Sequence, residues 1–258
     1  MIMGEWVKKR LAEIEVQYGV KIIYAADGGS RAFGFASETS DYDVRFIYYY
    51  PLKKYLSVDQ VTEVIDKKVD ETLEVHGWDL LKAMRLFQNT NPSFIEWLFS
   101  PIVYLEKGEF AWRCRDLAIE CCSLKKLTYH YLNMTKQNCK KYIEGKEMVS
   151  VKHYLYVLRS ILCIKWIREF SAPPPTSFLE LIEGSNLPKK FYENINNLIF
   201  IKKKGMSEIV PFNDMINKFI EQEIAISEQI VETLSHRVFN KEELNKMMWS
   251  VVGVQQHS

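Results

Sequence analysis

Near residue 112 the hydrophobic pattern changes character, and with it the kind of structure the chain can form. Ahead of that point, strand-type runs alternate with short helical stretches; beyond it, apolar residues recur at helical spacing. Residues 5–18 set Trp6, Leu11, Ile14 and Val16 among charges, the pattern of an amphipathic helix, and Val20 to Ala26 is a short strand-type run. After a Gly28-Gly29-Ser30 turn comes Asp41-Tyr42-Asp43-Val44-Arg45-Phe46-Ile47-Tyr48-Tyr49-Tyr50, a β-rich run closed by Pro51. A further strand is expected near Thr72 to His76, punctuated by Gly77. Asp79 then caps a helix over Leu80 to Gln88, and Asn91-Pro92-Ser93 restarts one through Leu98.

In the second half, Leu124, Leu127, Tyr131 and Met134 fall at helical spacing, as do Val151, Tyr154, Leu155, Leu158, Ile161 and Leu162. Ala172-Pro173-Pro174-Pro175 interrupts the helices, because consecutive prolines lack backbone donors. Helices are expected again over 178–182, 191–198 and 213–234, with a loosely held tail after Met248. The pattern predicts a mixed α and β domain over residues 1–110 and a mainly helical domain over 111–258.

At 47% hydrophobic and 26% charged residues the chain is neither disordered nor fibrous. Its apolar runs, such as Phe46 to Leu52, fall far short of the ~20 residues a membrane span requires. The N-terminus has no signal-peptide core, so a cytoplasmic protein without membrane contact is expected. The five cysteines, at 114, 121, 122, 139 and 163, show neither zinc nor disulfide spacing and are expected to be reduced packing residues. The histidines form no ligand pattern. Net charge is +1, but residues 111–170 hold 12 Lys and Arg against 5 Asp and Glu. Such a basic segment suits contacts to phosphates.

The chemistry-bearing residues lie in the first domain. Period-two alternation sets Asp41 and Asp43 on one face of a strand, and a neighbouring strand can bring Glu74 beside them, with Asp70 and Glu71 close by in sequence. Two carboxylates ~4 Å apart repel by about 4 kcal/mol at an effective dielectric near 20, so the cluster requires a cation. Hard divalent ions suit all-oxygen ligands, and two ions, Mg²⁺ or Mn²⁺, would support phosphoryl transfer. Gly29 permits close backbone approach, Ser30 offers a hydroxyl and neighbouring N–H groups at a helix start, and Arg31 can add a charge-assisted phosphate contact. Either half alone is a weak signal; their joint occurrence carries the reading.

Gly29 to Ala36 followed by Ser40 to Tyr48 resembles the signature of the DNA polymerase beta-type nucleotidyltransferase superfamily. The nearer resemblance is to the RNA repair pathway DNA polymerase beta family. Its pattern continues through Gly77 to Lys82, Asn91-Pro92-Ser93, Glu96-Trp97-Leu98, Ser100 to Tyr104, Lys152 to Arg159 and Trp166. The resemblance implies an α/β (α+β) nucleotidyltransferase domain with a mixed sheet, a helical domain after it, and a nucleotide cleft between them. It also implies transfer of a nucleoside monophosphate from a triphosphate to a hydroxyl acceptor, with an RNA 3′ end favoured. Asp41, Asp43 and Glu74 are then the catalytic and metal-binding acids, and Gly29, Ser30 and Arg31 the nucleotide-binding turn. Lys152, Tyr156 and Arg159, at i, i+4 and i+7 opposite an apolar stripe, become candidates to hold phosphates and stack a base. Lys202-Lys203-Lys204 reads as a solvated turn. The alternatives are nucleotidylation of a protein or small molecule, and a catalytically silent nucleotide- or RNA-binding module.

Overall fold

The computed structural model describes residues 3–205 and 209–254. By internal packing the chain forms two units, one of residues 3–32, 41–121 and 238–254, the other of residues 33–40 and 122–237. The division therefore differs from the 110/111 boundary that periodicity suggests, because packing partners are distant in sequence.

The first unit carries helix α1 (Met3–Tyr18), β1 (Lys21–Asp27), the start of α2 (Ser30–Phe33), β2 (Tyr42–Tyr49), α3 (Leu52–Tyr55), β3 (Val64–Lys68), β4 (Leu73–Asp79), α4 (Leu80–Gln88), α5 (Pro92–Leu98), β5 (Val103–Glu106) and α6 (Phe110–Cys121). The sheet runs β3-β4-β2-β1-β5 and is mixed: β2 and β4 are parallel, all other pairs antiparallel. Val7, Leu11 and Ile14 of α1 are buried in one cluster with Val44, Phe46 and Tyr48 from alternate positions of β2. Val16, expected on that apolar face, is 85% exposed. The alternate residues Asp43, Arg45 and Ile47 stand in register with Glu74, His76 and Trp78 of β4. On that side Trp78 stacks on Trp97 and Phe94 of α5.

Gly77 does not punctuate β4 but lies within it. A Cβ there would come 2.3 Å from the ring of Phe46, its register partner, so the strand passes only because the residue is glycine. Asp79 caps α4, its carboxylate accepting from Leu81 N–H at 2.9 Å and from the Tyr55 hydroxyl at 2.5 Å. Asn91 caps α5 with Pro92 at its first position.

The second unit is helical: α7 (Leu124–Tyr142), α8 (Val151–Phe170), α9 (Phe178–Gly184), α10 (Lys189–Lys203) and α11 (Asp214–Ile230), with a two-stranded ribbon of β6 (Met148–Ser150) and β7 (Ile209–Pro211). Apolar around its circumference, α8 is the central post, contacted by α7, α9, α10 and α11. Of the tail after Met248, expected to be loosely held, residues 249–252 continue a helix whose buried side chains lie before Met248. Helix α12 (Lys241–Val252) packs on α4, burying Leu244 and Met247, and the ring centroid of Phe239 just before it lies 4.4 Å from that of Phe87. Residues 255–258, including His257, lie outside the described residues. Among those described, no helix is long and apolar enough to cross a membrane.

Candidate active site

At the end of β1 the chain turns through Gly28 and Gly29 into α2, and a buried acid organises that turn. Asp27 accepts hydrogen bonds at Oδ1 from the N–H groups of Gly29 (3.0 Å) and Ala32 (3.2 Å), and at Oδ2 from the Tyr104 hydroxyl (3.0 Å). Its backbone N–H donates to Ile102 O (2.9 Å), and its carbonyl accepts from Ser100 Oγ (2.7 Å). Burial pushes the Asp27 carboxyl above its ordinary pKa, against the pull of the donated hydrogen bonds. Sequence reasoning passed over Asp27, although Asp-Gly-Gly after an apolar strand is an Asx-turn signal. One expectation changes: the N–H of Gly29 is committed to Asp27 and does not point to a phosphate.

Gly29 instead makes room for an acid. A Cβ there would fall 1.9 Å from Asp43 Oδ2 and 2.6 Å from Asp43 Cβ, so the Asp43 side chain lies directly against the turn. Gly28 N–H donates to Asp43 O at 2.8 Å, tying turn and strand by backbone as well. On the next strand Glu74 is the register partner of Asp43, and parallel partners share a face. Asp70 is spent on the β3–β4 turn, accepting from Thr72 and Leu73 N–H, which holds its pKa low. Glu71 is exposed in that turn. Asp41 is exposed and stands one residue before β2, at its mouth rather than within it. Arg31 donates from Nε to Asp41 O (3.3 Å) and lays its guanidinium 3.8 Å over the Tyr42 ring, which buttresses the start of β2.

The structure thus brings Gly29, Ser30, Arg31, Asp43 and Glu74 to one end of the sheet with Asp41 beside them. Among the described residues, no three His, Cys, Asp or Glu side chains stand close enough to share one ion. Arg45 supplies the nearby positive charge, its Nη2 3.0 Å from Asp43 Oδ1. The expected convergence of Asp41, Asp43 and Glu74 on one ion is therefore not met as the side chains stand, although carboxylate oxygen is the donor type that a hard divalent cation takes.

Lys152, Tyr156 and Arg159 belong to the helical unit. Lys152 is exposed, with Nζ 5.8 Å from the Tyr156 ring centroid. Tyr156 meets Phe33 and Phe35 edge-on. Arg159 is only 4% exposed: Nε donates to Thr176 O, and the guanidinium lies 4.0 Å over Phe33. The expectation that all three lie opposite an apolar stripe fails for Arg159, because α8 is buried on almost every side. The excess charge of residues 111–170 is also partly matched: Arg115 pairs with Glu106, Lys125 with Glu232, Lys136 with Glu228, Lys165 with Glu169 and Arg168 with Glu223. Lys202 to Lys204 close α10 at Gly205, where cations meet the negative helix end. No disulfide joins the five cysteines, and four of them are buried.

The sequence matches the model of the RNA repair pathway DNA polymerase beta family over residues 3–250. It is 38% identical over 252 residues to the uncharacterized protein YcgL of Bacillus subtilis (strain 168), covering 97% of this chain and 96% of that one. A solved nucleotidyltransferase-like protein from Exiguobacterium sibiricum 255-15 aligns over 99% of this chain and 81% of its own at 10% identity. The TM-score of 0.32 is too low to bear on fold or function.

Proposed function

Because the chain belongs to the RNA repair pathway DNA polymerase beta family, a nucleotidyltransferase family, we propose that it moves a nucleoside monophosphate from a nucleoside triphosphate to the 3′ hydroxyl of an RNA. The acceptor oxygen bonds to the α-phosphorus, the bond from that phosphorus to the bridging oxygen breaks, and pyrophosphate leaves while the hydroxyl proton passes to solvent. The observation that carries the reading is the in-register pairing of Asp43 with Glu74 beside a glycine turn that abuts Asp43.

Ser30 and Arg31 hold the triphosphate in this scheme, and the tight Gly29 turn lets its phosphates approach the acids. Asp41, Asp43 and Glu74 would hold Mg²⁺ or Mn²⁺, which supplies charge neutralisation on the phosphates and a more acidic acceptor hydroxyl. Asp43 would exchange its Arg45 partner for that charge. The RNA acceptor rests on the family more than on the basic segment, because five of that segment's cations already have carboxylate partners.

The test is incubation with labelled triphosphates, Mg²⁺ and mixed RNA, beside the Asp41→Asn/Asp43→Asn variant. Label entering RNA with the wild type and not with the variant supports the proposal. Label in protein or a small molecule moves the acceptor, and equal labelling by the double variant ends the reading.

A further inference from the structure

The sequence stretch Ser100 to Tyr104 has no chemistry of its own in the scheme above, yet it converges on the glycine turn. Ser100 Oγ donates to Asp27 O at 2.7 Å, Ile102 O accepts from Asp27 N–H, and the Tyr104 hydroxyl donates to Asp27 Oδ2 at 3.0 Å. Asp27 passes this restraint on through Oδ1 to the N–H groups of Gly29 and Ala32, which bracket Ser30 and Arg31. Every backbone and side-chain polar atom of Asp27 is thereby committed, and the residue is fully buried. A carboxylate is costly to bury, and here its neighbours are a phenol and two amides rather than a salt-bridge partner. An apolar residue would fill the same space without that cost. What the acid provides, and an apolar residue cannot, is a fixed direction for two N–H groups of the turn.

We infer that Asp27, Ser100 and Tyr104 are positioning residues for nucleotide binding: they lock the Gly28–Ser30 turn so that Ser30 and Arg31 meet the triphosphate in one geometry. This rests on the nucleotidyltransferase reading and extends it to residues that touch neither substrate nor metal. The conformational restriction belongs to the ground state of the site, so its loss appears in binding before it appears in the chemical step.

The experiment compares Tyr104→Phe, Ser100→Ala, Asp27→Ala and Asp27→Asn in full-length protein, measuring melting, KM and kcat for triphosphate, and calorimetric affinity for inorganic pyrophosphate. Asn keeps an oxygen to accept from Gly29 and Ala32, so Asp27→Asn should stay within about threefold of wild type, whereas Asp27→Ala should raise KM about tenfold or more. Tyr104→Phe and Ser100→Ala, which leave the turn's own atoms in place, should raise KM several-fold with kcat within about twofold, and weaken pyrophosphate to match. Folded variants with unchanged KM and pyrophosphate affinity overturn the inference, as does loss of kcat alone. The wild type separates the two ideas. Pyrophosphate binding that responds to Asp27 without nucleotide transfer keeps the positioning role and ends the transferase reading, while absence of both binding and transfer ends both.

Discussion

Gly29→Ala tests the core of the site geometry with one methyl group. The added Cβ would meet Asp43 Oδ2 at 1.9 Å, Cγ at 2.5 Å and Cβ at 2.6 Å. Rotation about χ1 of Asp43 can carry Oδ2 and Cγ away but leaves Cβ where it is. To restore an ordinary contact of 3.4 Å, the two backbones must separate by about 0.8 Å. The Gly28 N–H to Asp43 O hydrogen bond at 2.8 Å resists that movement. Overpacking of this size costs about 1–3 kcal/mol, which in a chain this long lowers the melting temperature by roughly 2–12 °C. A displacement near 1 Å between the phosphate-binding turn and a catalytic acid costs about 10²-fold in rate. Gly29 is not among the glycines at positive φ, so the effect is contact alone. Gly4→Ala, with nothing within 4 Å of its Cβ in α1, is the control and should not destabilise. Adding Asp43→Gly to Gly29→Ala should recover the melting temperature but not transfer. Gly29→Ala melting within 1 °C of wild type with at least half its transfer rate would refute the close approach, and with it the cradle for Asp43.

Asp43→Asn should cut transfer about a hundredfold or more, because several kcal/mol of charge stabilisation are lost. Its stability should change by no more than ~1 kcal/mol, since Asn keeps a side-chain oxygen that can still accept from Arg45 Nη2; chemical denaturation beside the transfer assay checks both. Burial raises the folded-state pKa of Asp79 above its ordinary 3.8. Its stabilising contribution is therefore complete below that value and lost as pH rises through the raised one. Urea midpoints of wild type should accordingly fall relative to Asp79→Asn over that interval, and a rise would contradict the sign. Phe239→Ala empties the contact with Phe87 and should cost about 3–5 kcal/mol by denaturant titration; a cost under 1 kcal/mol would mean the C-terminal helix contributes little.

The parts of the fold legible in the sequence are those whose signal is local. The alternation through Tyr42, Val44, Phe46 and Tyr48 announces β2, and Asp79 and Asn91 announce the helices they cap. The edge strands were hidden for a physical reason: β3 buries only Ile65 and carries Asp66, Lys67 and Lys68, the charged pattern that keeps an edge from pairing with another chain. Gly77 misleads because the ring that fills its missing side chain lies 31 positions earlier, and Asp27 was missed because Ser100 and Tyr104 lie more than 70 positions away. Register supplied the fact that composition could not, that Glu74 rather than Asp70 or Glu71 faces Asp43. Arg159 shows the converse, a charge whose burial no spacing rule reveals.

The interleaving of the two units bears on how such a protein can be rearranged. Residues 33–40 sit in the chain between Ser30-Arg31 and Asp41-Asp43, yet Phe33 and Phe35 are core residues of the helical unit, against Tyr156, Arg159 and Phe178. Residues 238–254 complete the other unit from the far end of the sequence. No single cut yields two intact halves: a break near residue 121 would leave one fragment without Phe33 and Phe35 and the other without Phe239, Leu244 and Met247. Recombination that swaps the helical unit for another must join four ends instead of two, and must bring its own 33–40 segment. Exchange of the helical unit therefore puts the spacing between glycine turn and acids at risk, whereas substitution in place leaves it intact.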